Sequence, residues 1–172
     1  GPATAGAGRE DPGYAAVLRT GIAEVRASAA VRAALGLVVG VTAIWGSLDE
    51  YLPLLAVDAG VRTEDVPLLG LLVYAGVALG GVLAGRASLL GRPAFAALLV
   101  AAAAALAAGA LARTAAGFAL LAVAFAVFQA LTVAADARLQ DAMDGGARST
   151  VTSFAVLATE VAVIAVYATY AL

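Results

Sequence analysis

A chain of 172 residues that is 63% hydrophobic and 13% charged, with a mean hydropathy of +0.99 and a net charge of -2, has too little polar surface to clothe a water-facing globule. It has no His and no Cys, which excludes imidazole acid–base chemistry, thiol nucleophiles, disulfides, haem ligation and the usual zinc sites. Its ten basic residues are all Arg and are spread singly, so nothing points to nucleic acid, and the composition is that of a membrane protein.

Residues 1–12 are rich in Gly, Ala and Pro and read as a leader, either disordered or, at Gly1-Pro2, left by tag cleavage. Residues 13–30 carry Tyr14, Val17, Leu18, Ile22 and Val25 between Arg19, Glu24 and Arg26, the pattern of an amphipathic helix at the membrane interface or of a plain linker helix. Residues 31–172 hold five apolar segments, each long enough to cross about 30 Å of hydrocarbon at about 1.5 Å per residue. The first runs from Val31 to Val57, and the second from Val66 to Ala84, with Thr63 or Asp65 as cap and Pro67 in the first turn. The third runs from Pro93 to Ala112 and the fourth from Ala115 to Ala135, across a short Arg113-Thr114 turn. The fifth runs from Thr150 to Leu172, capped by Ser149 or Thr150. None alternates with period two, so an all-α, polytopic transmembrane helical bundle of up-and-down neighbours is expected rather than a β-barrel.

Arginines orient the bundle. Arg19, Arg26, Arg32, Arg86, Arg92, Arg138 and Arg148 fall on one side, Arg62 and Arg113 on the other with Asp58, Glu64 and Asp65. The positive-inside rule then places the N-terminus in the cytoplasm of a multi-pass plasma-membrane protein. The apolar ending at Leu172 raises the expectation of a further helix.

Acids within hydrocarbon are costly and mark pathways, proton carriers or ion pairs. Glu160 lies about 15 Å into the fifth span, near the midplane, on a face with Ser153, Leu157, Ile164 and Tyr167. Burial there favours the protonated carboxyl that an exchangeable proton site needs; a structural hydrogen bond to another helix is the alternative. Asp49 and Glu50 lie nearer the outer end of the first span, where Thr42, Trp45 and Asp49 share a stripe suited to a pocket wall and Pro53 is placed to kink the helix. The competing reading is an interfacial acid with no transport role. Gln129, on a face with Phe125, Thr132 and Asp136, lines a cavity or bonds a neighbouring helix, and Tyr74 in the second span is open in the same way. Two GxxxG pairs, Gly76/Gly80 and Gly81/Gly85, permit close helix approach, and the Ala-rich third span reads as support.

From Ala23 onward the chain resembles the C-terminal half of a major facilitator superfamily transporter, particularly actinobacterial drug-efflux-like sequences. The stretch from Trp45 to Leu55 (WGSLDEYLPLL) resembles the family's seventh transmembrane helix. Gly80-Gly81-Val82-Leu83-Ala84-Gly85-Arg86, then Gly91-Arg92, resembles the loop between helices eight and nine, with Gly85 where the family carries Asp. Ala137-Arg138-Leu139-Gln140, then Ala147 to Ser153, resembles the approach to helix eleven. The resemblance implies a partial major facilitator half, covering about helices seven to eleven, that works by alternating access. Its cavity would be lined by the first, second, fourth and fifth spans and hence by Asp49, Glu50, Tyr74, Gln129 and Glu160.

The functional expectation is the C-terminal portion of a proton-coupled exporter of a small, lipophilic or cationic molecule. The expected partners are membrane lipid, protons, a small-molecule substrate, and a missing N-terminal half or another copy, with no cofactor, no metal and no enzyme activity. The alternatives are a structural or assembly element that transports nothing, and a membrane phosphotransferase built on Asp144-Gly145-Gly146-Ala147-Arg148. The phosphotransferase lacks the further Asp residues that its metals require, since Glu160 is the one acid after Arg148.

Overall fold

Helix boundaries follow local cap and proline chemistry. The computed structural model describes residues 19, 22–23, 25–142 and 148–170. Among these, six helices follow Ser28, and no strand occurs: α1 (Ala29–Asp49), α2 (Leu52–Asp58), α3 (Val66–Ala87), α4 (Arg92–Ala112), α5 (Gly117–Asp141) and α6 (Arg148–Tyr170). All but α2 contain a stretch long and apolar enough to span a bilayer, so the chain is an all-α, multi-pass transmembrane bundle. Ser28 starts α1 by accepting the Val31 N–H at 3.2 Å. Pro67 and Pro93 sit in the first turns of α3 and α4, where a missing N–H costs nothing. Arg113 ends α4 in the left-handed region at φ 47°, and the Thr114 hydroxyl accepts the Gly117 N–H to begin α5.

Three boundary expectations are corrected. The first span is not continuous from Val31 to Val57: it stops at Asp49 and restarts at Leu52. Pro53 has no N–H to offer the Asp49 carbonyl, and its ring crowds that carbonyl, so the helix breaks where it was expected to kink. Asp65 occupies the cap position of α3 but makes no capping bond; its carboxylate instead accepts from Arg62 at 2.9 Å. Ser149 and Thr150 fall inside the first turn of α6 rather than at its cap. Within the 13–30 segment, the described residues up to Ala27 are helical, with Arg19 and Arg26 exposed and Val25 packed against the Val31–Leu139–Val151 cluster. Tyr14, Val17, Leu18, Glu24, the 1–12 leader and residues 144–147 of the Asp-Gly motif lie outside the described residues.

Helix α5 is the post around which the others stand. Phe118, Leu121, Phe125, Leu131 and Leu139 along its length are fully buried, against α2 and α3 at one end, α4 in the middle, and α1 and α6 at the other. The α3–α5 seam is the closest approach. A Cβ on Gly76 would collide with the carbonyl oxygen of Ala122, and one on Gly80 with that of Ala126. Gly81 and Gly85 have nothing within 4 Å. The first GxxxG is thus spent inside the bundle, and the second lies on its outer surface. That surface is apolar, with Leu71, Val82, Val100, Leu111, Val161 and Ile164 all exposed, as expected where the surrounding solvent is lipid.

Candidate functional site

Four candidate residues meet where the first span breaks. Asp49 ends α1, and its carboxylate accepts a hydrogen bond from the Tyr74 hydroxyl of α3 at 3.1 Å. Glu50 follows as the exposed C-cap. The Tyr51 ring then meets Tyr167 of α6, with centroids 6.3 Å apart and planes inclined by 51°. Two carboxylates and three phenols from α1, α3 and α6 are thereby gathered around one broken helix end. The final carbonyls of α1 carry the negative end of its dipole, and no basic residue occupies its last turn, so the junction is electrostatically suited to a cation or a proton.

Deeper in α1, the Thr42–Trp45–Asp49 stripe does not line an open pocket wall. It faces neighbouring helices. The Trp45 indole N–H donates to Thr132 Oγ1 of α5 at 3.2 Å, and its ring meets Phe125 edge-on at 5.6 Å. Thr42 Oγ1 is buried with no hydrogen-bond partner among the described residues. Gln129 lies on the same α5 face, between Phe125 and Thr132; it is half-buried and makes no hydrogen bond to another described side chain.

Glu160 stands apart from this cluster. It is about 18 Å from the start of α6 and about 15 Å from its end, hence near the middle of the helix. Helix α6 attaches to the bundle through Val151 and Ala155, which pack on Val31 and Leu35 of α1 and on Leu139. Glu160 is five residues beyond Ala155, a rotation of about 140° from the attached side. It is exposed along with Ser153, Leu157 and Ile164, and has no ion-pair or hydrogen-bond partner among the described residues. Tyr167 lies two turns further along and links this open face to the Asp49 junction.

Sequence reading missed Tyr51 as a site residue, Thr132 as the acceptor for Trp45, and Arg138. Tyr51 was signalled by its place directly after two acids and before a Leu-Pro pair. Arg138 donates to the Leu90 carbonyl at 2.6 Å and lies 4.5 Å over the Phe95 ring. It ties the end of α5 to the turn between α3 and α4, which no local pattern announces. No protein-family profile, characterised protein or solved structure matches this chain.

Proposed function

We propose that this chain is the C-terminal portion of a proton-coupled secondary transporter that exports a small lipophilic or cationic molecule by alternating access. The supporting observation is the convergence of Asp49, Glu50, Tyr51, Tyr74 and Tyr167 at a discontinuous helix, the kind of element that transporters use for binding. In this reading the acids and aromatic faces take the cation, Trp45 braces the broken helix against Thr132 and Phe125, and Glu160 carries the proton. Helix α6 is held mainly along α1, so it can rock against the α3–α5 pair while Tyr167 carries that motion to the junction. The open face bearing Glu160 is completed by a complementary half or another copy, since an acid left in hydrocarbon is costly.

The test is proton-gradient-driven export in everted vesicles from cells expressing the complete gene, with surface expression measured for each variant. Asp49→Asn weakens recognition of a lipophilic cation, whereas Glu160→Gln abolishes pH-driven flux and spares exchange without net proton movement. Normal pH-driven flux in Glu160→Gln would remove the coupling role from this residue. A second reading, a structural or assembly element, is favoured by the exposed Leu157, Val161 and Ile164 on α6, and absence of flux from the intact gene product would select it.

We place the chain in the plasma membrane with its N-terminus in the cytoplasm, because Arg26, Arg32, Arg86, Arg92 and Arg138 share one end of the bundle. The absence of Cys makes the check clean: a thiol introduced beside Arg62 should label from outside, and one beside Arg92 should not. The reverse pattern would invert the topology.

A further inference from the structure

Helices α1 and α4 both pack on α5 and touch each other little, which leaves a groove over α5 between them. Its Arg-bearing end is a cleft of about 440 Å³ whose walls include Leu37, Phe95, Ala96 and Leu99, with Arg92 and Arg138 at its mouth. Further along the same groove, a second cleft of about 410 Å³ is walled by apolar residues, among them Leu48, Leu52 and Leu106. On α4 the lining positions Arg92, Ala96, Leu99, Ala103, Leu106 and Ala110 step by four and three along one face. They extend about 27 Å from the cationic end towards the other side of the membrane. The groove is therefore amphiphilic along its axis, with two guanidinium groups at one end and hydrocarbon beyond.

Among the described residues, neither arginine is paired with a carboxylate. Arg138 spends part of its fork on the Leu90 carbonyl and its face on Phe95, which fixes the guanidinium and leaves donors over. Arg92 has no ion pair or hydrogen bond of its own among the described residues. Asp136 and Asp141 flank Arg138 in sequence, yet neither forms an ion pair with it. Two guanidiniums with no carboxylate partner among the described residues, above an apolar slot, match a phosphate ester that carries acyl chains.

We infer that this groove binds an anionic phospholipid, with the headgroup phosphate held by Arg92 and Arg138 and an acyl chain lying along α4 over Leu99 and Leu106. The inference is independent of transport. Native mass spectrometry of the full chain, with phosphatidylglycerol, phosphatidylcholine and glycerol 3-phosphate as separate probes, tests it. Phosphatidylglycerol should be retained in preference to phosphatidylcholine, and glycerol 3-phosphate should not bind. Arg92→Gln should weaken phosphatidylglycerol about fivefold or more, and Ala96→Phe should displace it by filling the slot with the charges intact. Arg113→Gln, at the opposite end of α4, should change nothing. Arg92→Gln is the primary variant, because Arg138→Gln also removes a tie to Leu90 and can unfold the corner. Equal retention of the two lipids, equal binding of glycerol 3-phosphate, or unchanged binding in both Arg92→Gln and Ala96→Phe would overturn the inference.

Discussion

Helices α5 and α6 are both apolar, span-length and punctuated by Thr and a single deep polar residue, yet the fold treats them oppositely. In the apolar window of α5, 56% of residues are buried, against 11% in α6. Gln129 of α5 therefore sits in a seam among Phe125, Thr132 and Trp45, while Glu160 of α6 faces away from every described neighbour. The difference teaches where each kind of residue acts. On α5, small and polar residues set how closely helices approach, so substitutions there change folding. On α6, Glu160 makes no hydrogen bond or ion pair with the described residues, and Tyr167 alone ties its face to the junction, so substitution of Glu160 should change only what happens beyond the described bundle.

The largest effect is expected at the α3–α5 seam. Gly80→Leu puts a side chain where the Ala126 carbonyl already stands; that carbonyl belongs to backbone and cannot rotate away, so the helices must separate. Overpacking typically costs about 1–3 kcal/mol, and loss of the seam adds to it. The variant should give little monodisperse protein in detergent. Gly85→Leu, five residues on in the neighbouring GxxxG and with nothing within 4 Å, should purify and melt as the parent does. Equal behaviour of the two variants would dissolve the distinction between inner and outer glycines.

A smaller effect is expected at Trp45. Trp45→Phe keeps an aromatic ring against Phe125 but removes the donor to Thr132. Interhelical hydrogen bonds in membranes average about 0.6 kcal/mol, with a maximum near 1.7, and a loss in that range is expected. Thr132→Val should show a similar loss, and the double variant should fall no further than the worse single one. Additive losses in unfolding measurements would mean that the two residues act separately.

These contrasts also mark what the sequence could reveal. Span number and position were legible because hydrocarbon thickness fixes apolar length, and the observed ends of α3 and α4 lie within three residues of the expected ones. The break after Asp49 was signalled by Pro53, but a break and a kink differ only in whether neighbouring groups satisfy the freed carbonyls, which is a tertiary matter. Depth was legible for Glu160 because it is a count of residues along an axis. Its azimuth was not, because that depends on which side of α6 meets α1. The same holds for Gly76/Gly80 and Gly81/Gly85, which are identical as motifs and, five residues apart, are separated by about 140° on one helix. The Asp49–Tyr74 and Tyr51–Tyr167 pairings join distant spans and follow from no local spacing.

The smallest effect on stability is expected at Glu160, and it is the most informative. Glu160→Gln removes no contact within the described chain, so the unfolding midpoint of the purified protein should be unchanged. In a bilayer the amide is cheaper to expose to hydrocarbon than a carboxylate, so insertion yield should be equal or higher. If α6 carries function on its outer face, this neutral substitution in the folding assay is the damaging one in the flux assay, which inverts the order set by Gly80 and Trp45. A matched Gln129→Leu variant completes the comparison: it alters the α5 seam and should move the midpoint more than Glu160→Gln does. A fall in midpoint for Glu160→Gln that grows with protein concentration would mean instead that copies of the chain meet through this face. A fall independent of concentration would mean that α6 is held to the bundle through Glu160, and the contrast between the two helices would fail at its root.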